Sequence, residues 1–155
     1  MRARRTPLLA AGLIVFLGLS FLTARYLSVE TRERNLIVDL LGAQARGDAE
    51  GVIGRLDGCA SAPSCVERAR VTTARLRRPG RISIARYDSG TVHALGAARG
   101  PTRVVWLVPG RSLTVVQCVD VQRTGNALRG HEIRLRGLSG PIRRLSSCPG
   151  QAPGR

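Results

Sequence analysis

Residues 113–135 read LTVVQCVDVQRTGNALRGHEIRL, and their patterning decides the fold class. Residues 112–122 form a long β-branched run, the composition strands prefer. Residues 131–136 alternate sharply, with His131, Ile133 and Leu135 set against Glu132, Arg134 and Arg136. That period of two predicts a strand with one buried and one wet face. Between the two runs, Thr124-Gly125-Asn126 reads as a hairpin turn. Upstream, RVVWLV at 103–108 is apolar on both faces and predicts a central strand. Residues 81–87, alternating around Ile82 and Ile84, and residues 91–95 predict two more strands, separated by the turn Asp88-Ser89-Gly90. Pro109-Gly110-Arg111 supplies another turn, and Gly96-Ala97-Ala98-Arg99-Gly100 reads as a plain connecting loop.

Before Pro79-Gly80 the period is helical. Leu36, Ile37, Leu40 and Leu41 make one apolar stripe, while Arg32, Glu33, Arg34 and Asp39 fall mostly elsewhere and are expected in water. Gly47 ends this helix and Asp48 can cap the next, whose apolar positions are Val52, Ile53 and Leu56. Asp57-Gly58 breaks it. A third helix starts at Ser61 or Ala62 with Pro63 in its first turn, and buries Val66, Ala69, Thr73 and Leu76. Helices followed by a run of antiparallel strands make an α+β layout, about three helices packed on a curved, mostly antiparallel sheet.

The first residues, MRARR, are basic, and residues 7–23, PLLAAGLIVFLGLSFLT, carry no charge. At about 1.5 Å per residue this helix nearly crosses a bilayer core of about 30 Å. Arg2, Arg4, Arg5 and Arg25 bracket it, so the positive-inside rule keeps the N-terminus cytoplasmic and sends the rest outside. The expected organisation is a basic N-terminus (1–6), a transmembrane signal anchor (7–24), an exported α+β domain (25–138) and a Gly/Pro/Ser-rich strap and tail (139–155). A cleaved signal peptide is the competing reading, but an A-x-A site is missing and Leu22 occupies the −3 position before Ala24. No Gly or Pro occurs from Phe21 to Leu41, so the membrane helix can run straight into a soluble one.

Four cysteines, Cys59, Cys65, Cys118 and Cys148, fit an oxidising compartment. Cys59 and Cys65 flank a short loop and are expected to pair. A Cys118–Cys148 bond would pin the tail to the sheet. C-x5-C followed by two isolated cysteines is not zinc spacing, and His93 and His131 stand far apart, so no metal is expected.

The segment DLLGAQARGDAEGVIGRL at 39–56, followed later by the long strand pair, resembles the SnoaL-like or nuclear-transport-factor-2-like superfamily over residues 30–138. The whole layout is similar to actinobacterial single-span proteins with such an outer domain, among them Mce-associated membrane proteins and bitopic scaffold subunits of type IV secretion and conjugation machines. The resemblance implies a curved sheet wrapped around helices as a cone. Enzymes of that superfamily use Asp, His or Tyr inside the cone as acid–base groups. The matching residue types here are Asp88, Asp120, His93, His131, Glu132 and Tyr87.

A two-residue turn at Gly125-Asn126 would set Asp120 opposite His131 as a carboxylate-oriented imidazole. A three-residue turn through Thr124 would separate them, and alternation favours that register because it puts Val115, Val119 and Val121 with His131, Ile133 and Leu135. Asp120 and Glu132 then read as surface carboxylates paired with arginines, and Asp88 as a turn residue. No nucleophile motif, phosphate loop or cofactor motif is present.

All 25 basic residues are arginine, and the formal net charge is +15. Setting aside Arg2, Arg4, Arg5 and Arg25 leaves +11 on the exported part. Arg75, Arg77, Arg78 and Arg81 cluster at the helix-to-strand junction, Arg134 and Arg136 share a strand face, and Arg143 and Arg144 follow. These are candidate contacts to an anionic surface, either an envelope protein or acidic lipid headgroups. Aromatics are 3% of the chain, too few for base stacking, so nucleic acid is not expected. Two functions remain: a membrane-tethered interaction or assembly module without catalysis, or a small-ligand binder or acid–base enzyme using the cone cavity.

Overall fold

The structure is a computed structural model that describes residues 5–78, 80–91, 97–109, 114–126, 130–143 and 146–149. Expectations for Arg2, Arg4, Pro79, residues 92–96 with His93, Gly110, Arg111 and Arg144 lie outside those residues. The architecture is α+β, with helices α1 (Arg5–Arg46), α2 (Ala49–Arg55) and α3 (Pro63–Arg75) preceding strands β1 (Ser83–Asp88), β2 (Ala98–Leu107), β3 (Val115–Asn126) and β4 (Gly130–Leu138). The sheet order is β1-β2-β3-β4, every pair antiparallel.

Helix α1 is one unbroken element of 42 residues, about 63 Å long at 1.5 Å per residue. Its N-terminal part is long and apolar enough to cross a membrane. Leu13, Ile14, Val15, Phe16, Leu17, Leu19, Phe21 and Leu22 are 44–70% exposed, so the other described residues leave them uncovered. Further along, the same helix turns its Ile37, Leu40 and Leu41 into the core, all at 0% exposure. Leu36 departs from the expected stripe and is 39% exposed, because the buried face is centred one residue further round.

Gly47 ends the helix at φ +83°, with its N–H on the Gln44 carbonyl and the Asp48 N–H on the Ala43 carbonyl, both at 3.0 Å. This closure satisfies two carbonyls that a helix end leaves unpaired. Asp48 then caps α2 by accepting the Gly51 N–H at 2.8 Å. Ala62, not Ser61, stands at the start of α3 with Pro63 following. The far end of α2 is tied to the outer edge of β4 by a bridge from Leu56 to Leu135 and by the Asp57 N–H on the Leu135 carbonyl at 2.7 Å.

The core lies between the helices and one sheet face. Trp106 sits at 0% exposure and donates its indole N–H to Gln117 Oε1 at 2.8 Å. The same buried cluster contains Ile37, Leu41, Val52, Val104, Val119 and Val121. After β4, the strap continues beside β3, with Ser139 N–H on the Cys118 carbonyl and Ile142 N–H on the Val116 carbonyl, each at 2.8 Å. Disulfides join Cys59 to Cys65 and Cys118 to Cys148, with Cα–Cα separations of 5.3 and 5.7 Å.

Three local expectations are overturned. Thr124, Gly125 and Asn126 are not a turn but strand, paired with Glu132, His131 and Gly130. Gly125 adopts φ +95° inside the ladder and leaves no room for a Cβ against the Gly130 carbonyl, so the turn-like residues extend the hairpin instead of closing it. Ala98-Arg99-Gly100 are not loop but the start of β2. Gly100 and Gly90 let the two backbones approach too closely for any side chain. Asp88 is the last residue of β1, not a turn residue.

Candidate functional site

The Asp120–His131 pair that a two-residue turn would make, and that the alternation disfavours, does not form. Asp120 lies opposite Gly137, and His131 lies opposite Gly125. The two are about 20 Å apart along the strand direction, at about 3.3 Å per residue. Both registers considered from the sequence placed the turn too early. The facing was nevertheless right, since Val121 pairs with Leu135. Asp120 instead accepts Arg99 Nη2 at 2.6 Å, and Glu132 accepts Arg134 Nη2 at 2.9 Å, both as surface pairs. His131 is half-buried at the α1–β4 groove, a cleft of about 430 Å³ that it lines with Arg32, Asn35, Leu36, Asp39, Glu132 and Ile133.

The polar centre of the fold is elsewhere. Glu33 of α1, expected in water, is 0% exposed. Its Oε1 accepts the hydroxyls of Tyr87 at 2.6 Å, Thr102 at 2.9 Å and Ser89 at 3.0 Å. Its Oε2 accepts Thr91 Oγ1 at 2.7 Å and Arg123 Nη2 at 3.1 Å. Five donors therefore converge on one carboxylate, from β1, the segment after it, β2 and β3. Arg123 is itself buried, at 3% exposure.

Burial alone pushes the Glu33 carboxyl up, but hydrogen bonds from Tyr87, Thr91, Thr102 and Ser89 outweigh it, and the net displacement is downward. The Tyr87 hydroxyl is pushed far up, first by burial and then by its bond to the Glu33 carboxylate. Glu33 lies nine residues past Ala24, in the part of α1 that packs on the sheet rather than in the apolar stretch. Each group is thereby held in one protonation state across neutral pH, the carboxylate charged and the phenol neutral. A general acid or base works best with its pKa near the working pH. This centre is arranged to hold α1 against three strands.

Two signals in the sequence pointed to it. Val29, Glu33, Ile37 and Leu41 follow one another at helical spacing, which puts Glu33 on the buried stripe. Arg123 continues the inward alternation of Val115, Gln117, Val119 and Val121. An acidic residue on the inner face of one element and a basic residue on the inner face of another are candidates for each other.

The anionic-surface candidates separate into two groups. Arg134 and Arg136 both reach Asp57, and Arg134 also reaches Glu132. Arg75, Arg77 and Arg81 are exposed and form no ion pair among the described residues. Arg78 is half-buried, and its backbone N–H donates to the Ala45 carbonyl at 2.8 Å. Among the described residues, no group of three or more His, Cys, Asp or Glu is placed to hold a metal ion. No family model matches the chain, and comparison with curated proteins and with solved structures finds no match.

Proposed function

We propose that this chain is a single-span membrane protein whose folded part lies outside the cytoplasm and works by binding and assembly, without catalysis. The observation that carries the reading is α1 itself, one helix that begins as an uncovered apolar rod and ends clamped in the core through Glu33. An apolar rod with no protein cover is stable in lipid, and the bracketing arginines favour a cytoplasmic N-terminus. Two disulfides suit an oxidising exterior. A SnoaL-like or nuclear-transport-factor-2-like cone, the family resemblance of residues 30–138, is part of this proposal. The order of three helices followed by an antiparallel sheet supports it.

The rival function, a ligand-binding or acid–base cone, needs an accessible pair of groups that exchange protons near neutral pH. Trp106 and a cluster of buried aliphatics occupy the layer between helices and sheet, and Glu33 and Tyr87 are held away from that range, which supports the binding reading.

Cross-linking in the native membrane, followed by identification of the bound partners, tests the proposal. The chain is expected to sediment with carbonate-washed membranes, to expose its C-terminal domain to added protease from outside, and to yield a defined cross-linked partner. Asp120→Ala combined with His131→Ala is expected to leave the cellular phenotype intact at normal protein levels. Recovery from the cytosol with four reactive thiols would overturn it.

A further inference from the structure

The clefts of this molecule differ in the charge of their walls. The α1–β4 groove holds Arg32 together with Asp39 and Glu132, so acids outnumber the guanidinium there. Between α3 and the last residues of β4 lies a chamber of about 140 Å³ whose charged lining residues are Arg68 and Arg136, with no acid among them. Exposure without an ion pair does not single out Arg68, since Arg34 and Arg55 share it among the described residues. The chamber does.

Two local features build it. Ser64, Arg68 and Thr72 follow one another at four-residue steps and form one stripe along α3. The stripe lies one residue round from the buried Ala69 and Thr73, so it borders the packed face of the helix. Across the gap, β4 carries an extra residue. Val121 pairs with Leu135 and Asp120 with Gly137, which leaves Arg136 with no opposite on β3. Such a bulge re-aims the side chain at that point. Arg136 lines the chamber, and its Nη1 is also held by Asp57. A guanidinium carries five N–H donors, so contact through one nitrogen leaves others for a ligand. Arg68, Arg136, Gly137 and Leu138 also line a second cleft of about 410 Å³, which extends to Pro101, Ser139 and Pro149. Asp120, which lines that cleft too, is engaged by Arg99.

Two like charges facing one gap repel, and the low dielectric of the walls strengthens the repulsion. An anion between them removes it and accepts charge-assisted hydrogen bonds from both. The donors favour a tetrahedral anion over a planar one. The guanidiniums come from different elements, and the Ser64 and Thr72 hydroxyls add donors along the helix. A carboxylate offers its oxygens on one edge, whereas a phosphate group points three acceptor oxygens in separate directions. The chamber has the size of such a group rather than of a whole metabolite, and the adjoining cleft has room for what the group is attached to.

We infer that the chamber between α3 and β4 binds the phosphate of a small phosphomonoester between Arg68 and Arg136, with the organic part of the ester in the adjoining cleft. The inference goes beyond the anchored binding module and does not depend on how α1 is held.

The test is isothermal titration calorimetry of the full-length chain in a neutral detergent, with sn-glycerol 3-phosphate, inorganic phosphate and acetate at matched ionic strength. Glycerol 3-phosphate is expected to bind, inorganic phosphate to bind more weakly, and acetate to give no heat of binding. Arg68→Gln is expected to weaken glycerol 3-phosphate binding about tenfold, as the loss of a charged hydrogen-bond donor does. Its circular dichroism spectrum is expected to stay unchanged. Thr72→Val keeps the side-chain shape without the hydroxyl and is expected to weaken binding about threefold. Arg70→Gln removes the same formal charge two residues along α3, outside the chamber, and is expected to change affinity less than about twofold. Absence of binding by either phosphate would overturn the inference. So would equal losses in Arg68→Gln and Arg70→Gln, acetate binding as tightly as glycerol 3-phosphate, or inorganic phosphate binding as tightly as the ester. Failure here leaves the anchored module standing, because cross-linking in native membranes reads that independently.

Discussion

Two carboxylates in this chain accept an arginine guanidinium at comparable distances, Glu33 from Arg123 at 3.1 Å and Asp120 from Arg99 at 2.6 Å. The shorter contact is the less consequential one. Asp120 and Arg99 are 33% and 62% exposed, so water competes for both partners and salt screens them. The Glu33 and Arg123 side chains are both buried, and four hydroxyls complete the shell around the carboxylate. Stripping water from two charges costs several kcal/mol per ion, so such a pair persists only when its remaining bonding capacity is filled. Distance alone says little about an ion pair, and surroundings decide what it does.

The largest test of that contrast is Glu33→Ala, which strands the buried Arg123 charge. It is expected to lower unfolding stability by about 3–5 kcal/mol, read as a fall in the denaturation midpoint of the detergent-solubilised protein. Combining Glu33→Leu with Arg123→Met removes both charges and is expected to be more stable than Glu33→Ala. It stays below the original chain because the four hydroxyls lose their acceptor. Tyr87→Phe removes one donor to a charged acceptor and is expected to cost about 1.5–3 kcal/mol in the same assay.

The acid limb sharpens the comparison further. Because the folded Glu33 carboxyl sits below its ordinary value of 4.5, its contribution is fully present above that pH and is lost as pH falls through the lower folded value. Midpoints are therefore expected to drop below pH 4.5 in the original chain and to drop less in the Glu33→Leu/Arg123→Met variant. The smallest effect belongs to Asp120→Asn, expected to leave the midpoint unchanged within error. A large loss there would break the distinction between the two pairs.

Periodicity carried most of the architecture. The helical stripe containing Ile37 and Leu41, the Gly47-Asp48 break, the interior strand around Trp106 and the inward alternation of β3 could all be read from residue order. The failures share a cause. Thr124-Gly125-Asn126 has turn composition, but pairing across the hairpin with β4 overrides local preference and carries the strand through a glycine at positive φ. Ala98-Arg99-Gly100 looked like loop because its glycine marks a close backbone approach, a tertiary fact with no local signature. Glu33 was assigned to solvent because of its charge, although its spacing from Ile37 placed it inward. The partner that makes its burial tolerable lies 90 residues away. The hydroxyls of Ser89, Thr91 and Thr102 carry no signal of their own, since Ser and Thr are ordinary within and beside strands.

The uninterrupted course of α1 has one more consequence. A swivel between anchor and domain would let the folded part tumble and sweep a wide cap of directions above the bilayer. On the proposed reading, in which lipid holds the apolar part of α1, the unbroken helix and the Glu33 contacts give the domain the heading of its stem. On that same reading, a search for partners would reduce to sliding in the plane and spinning about one axis, and each encounter would begin with the same face presented at the same elevation.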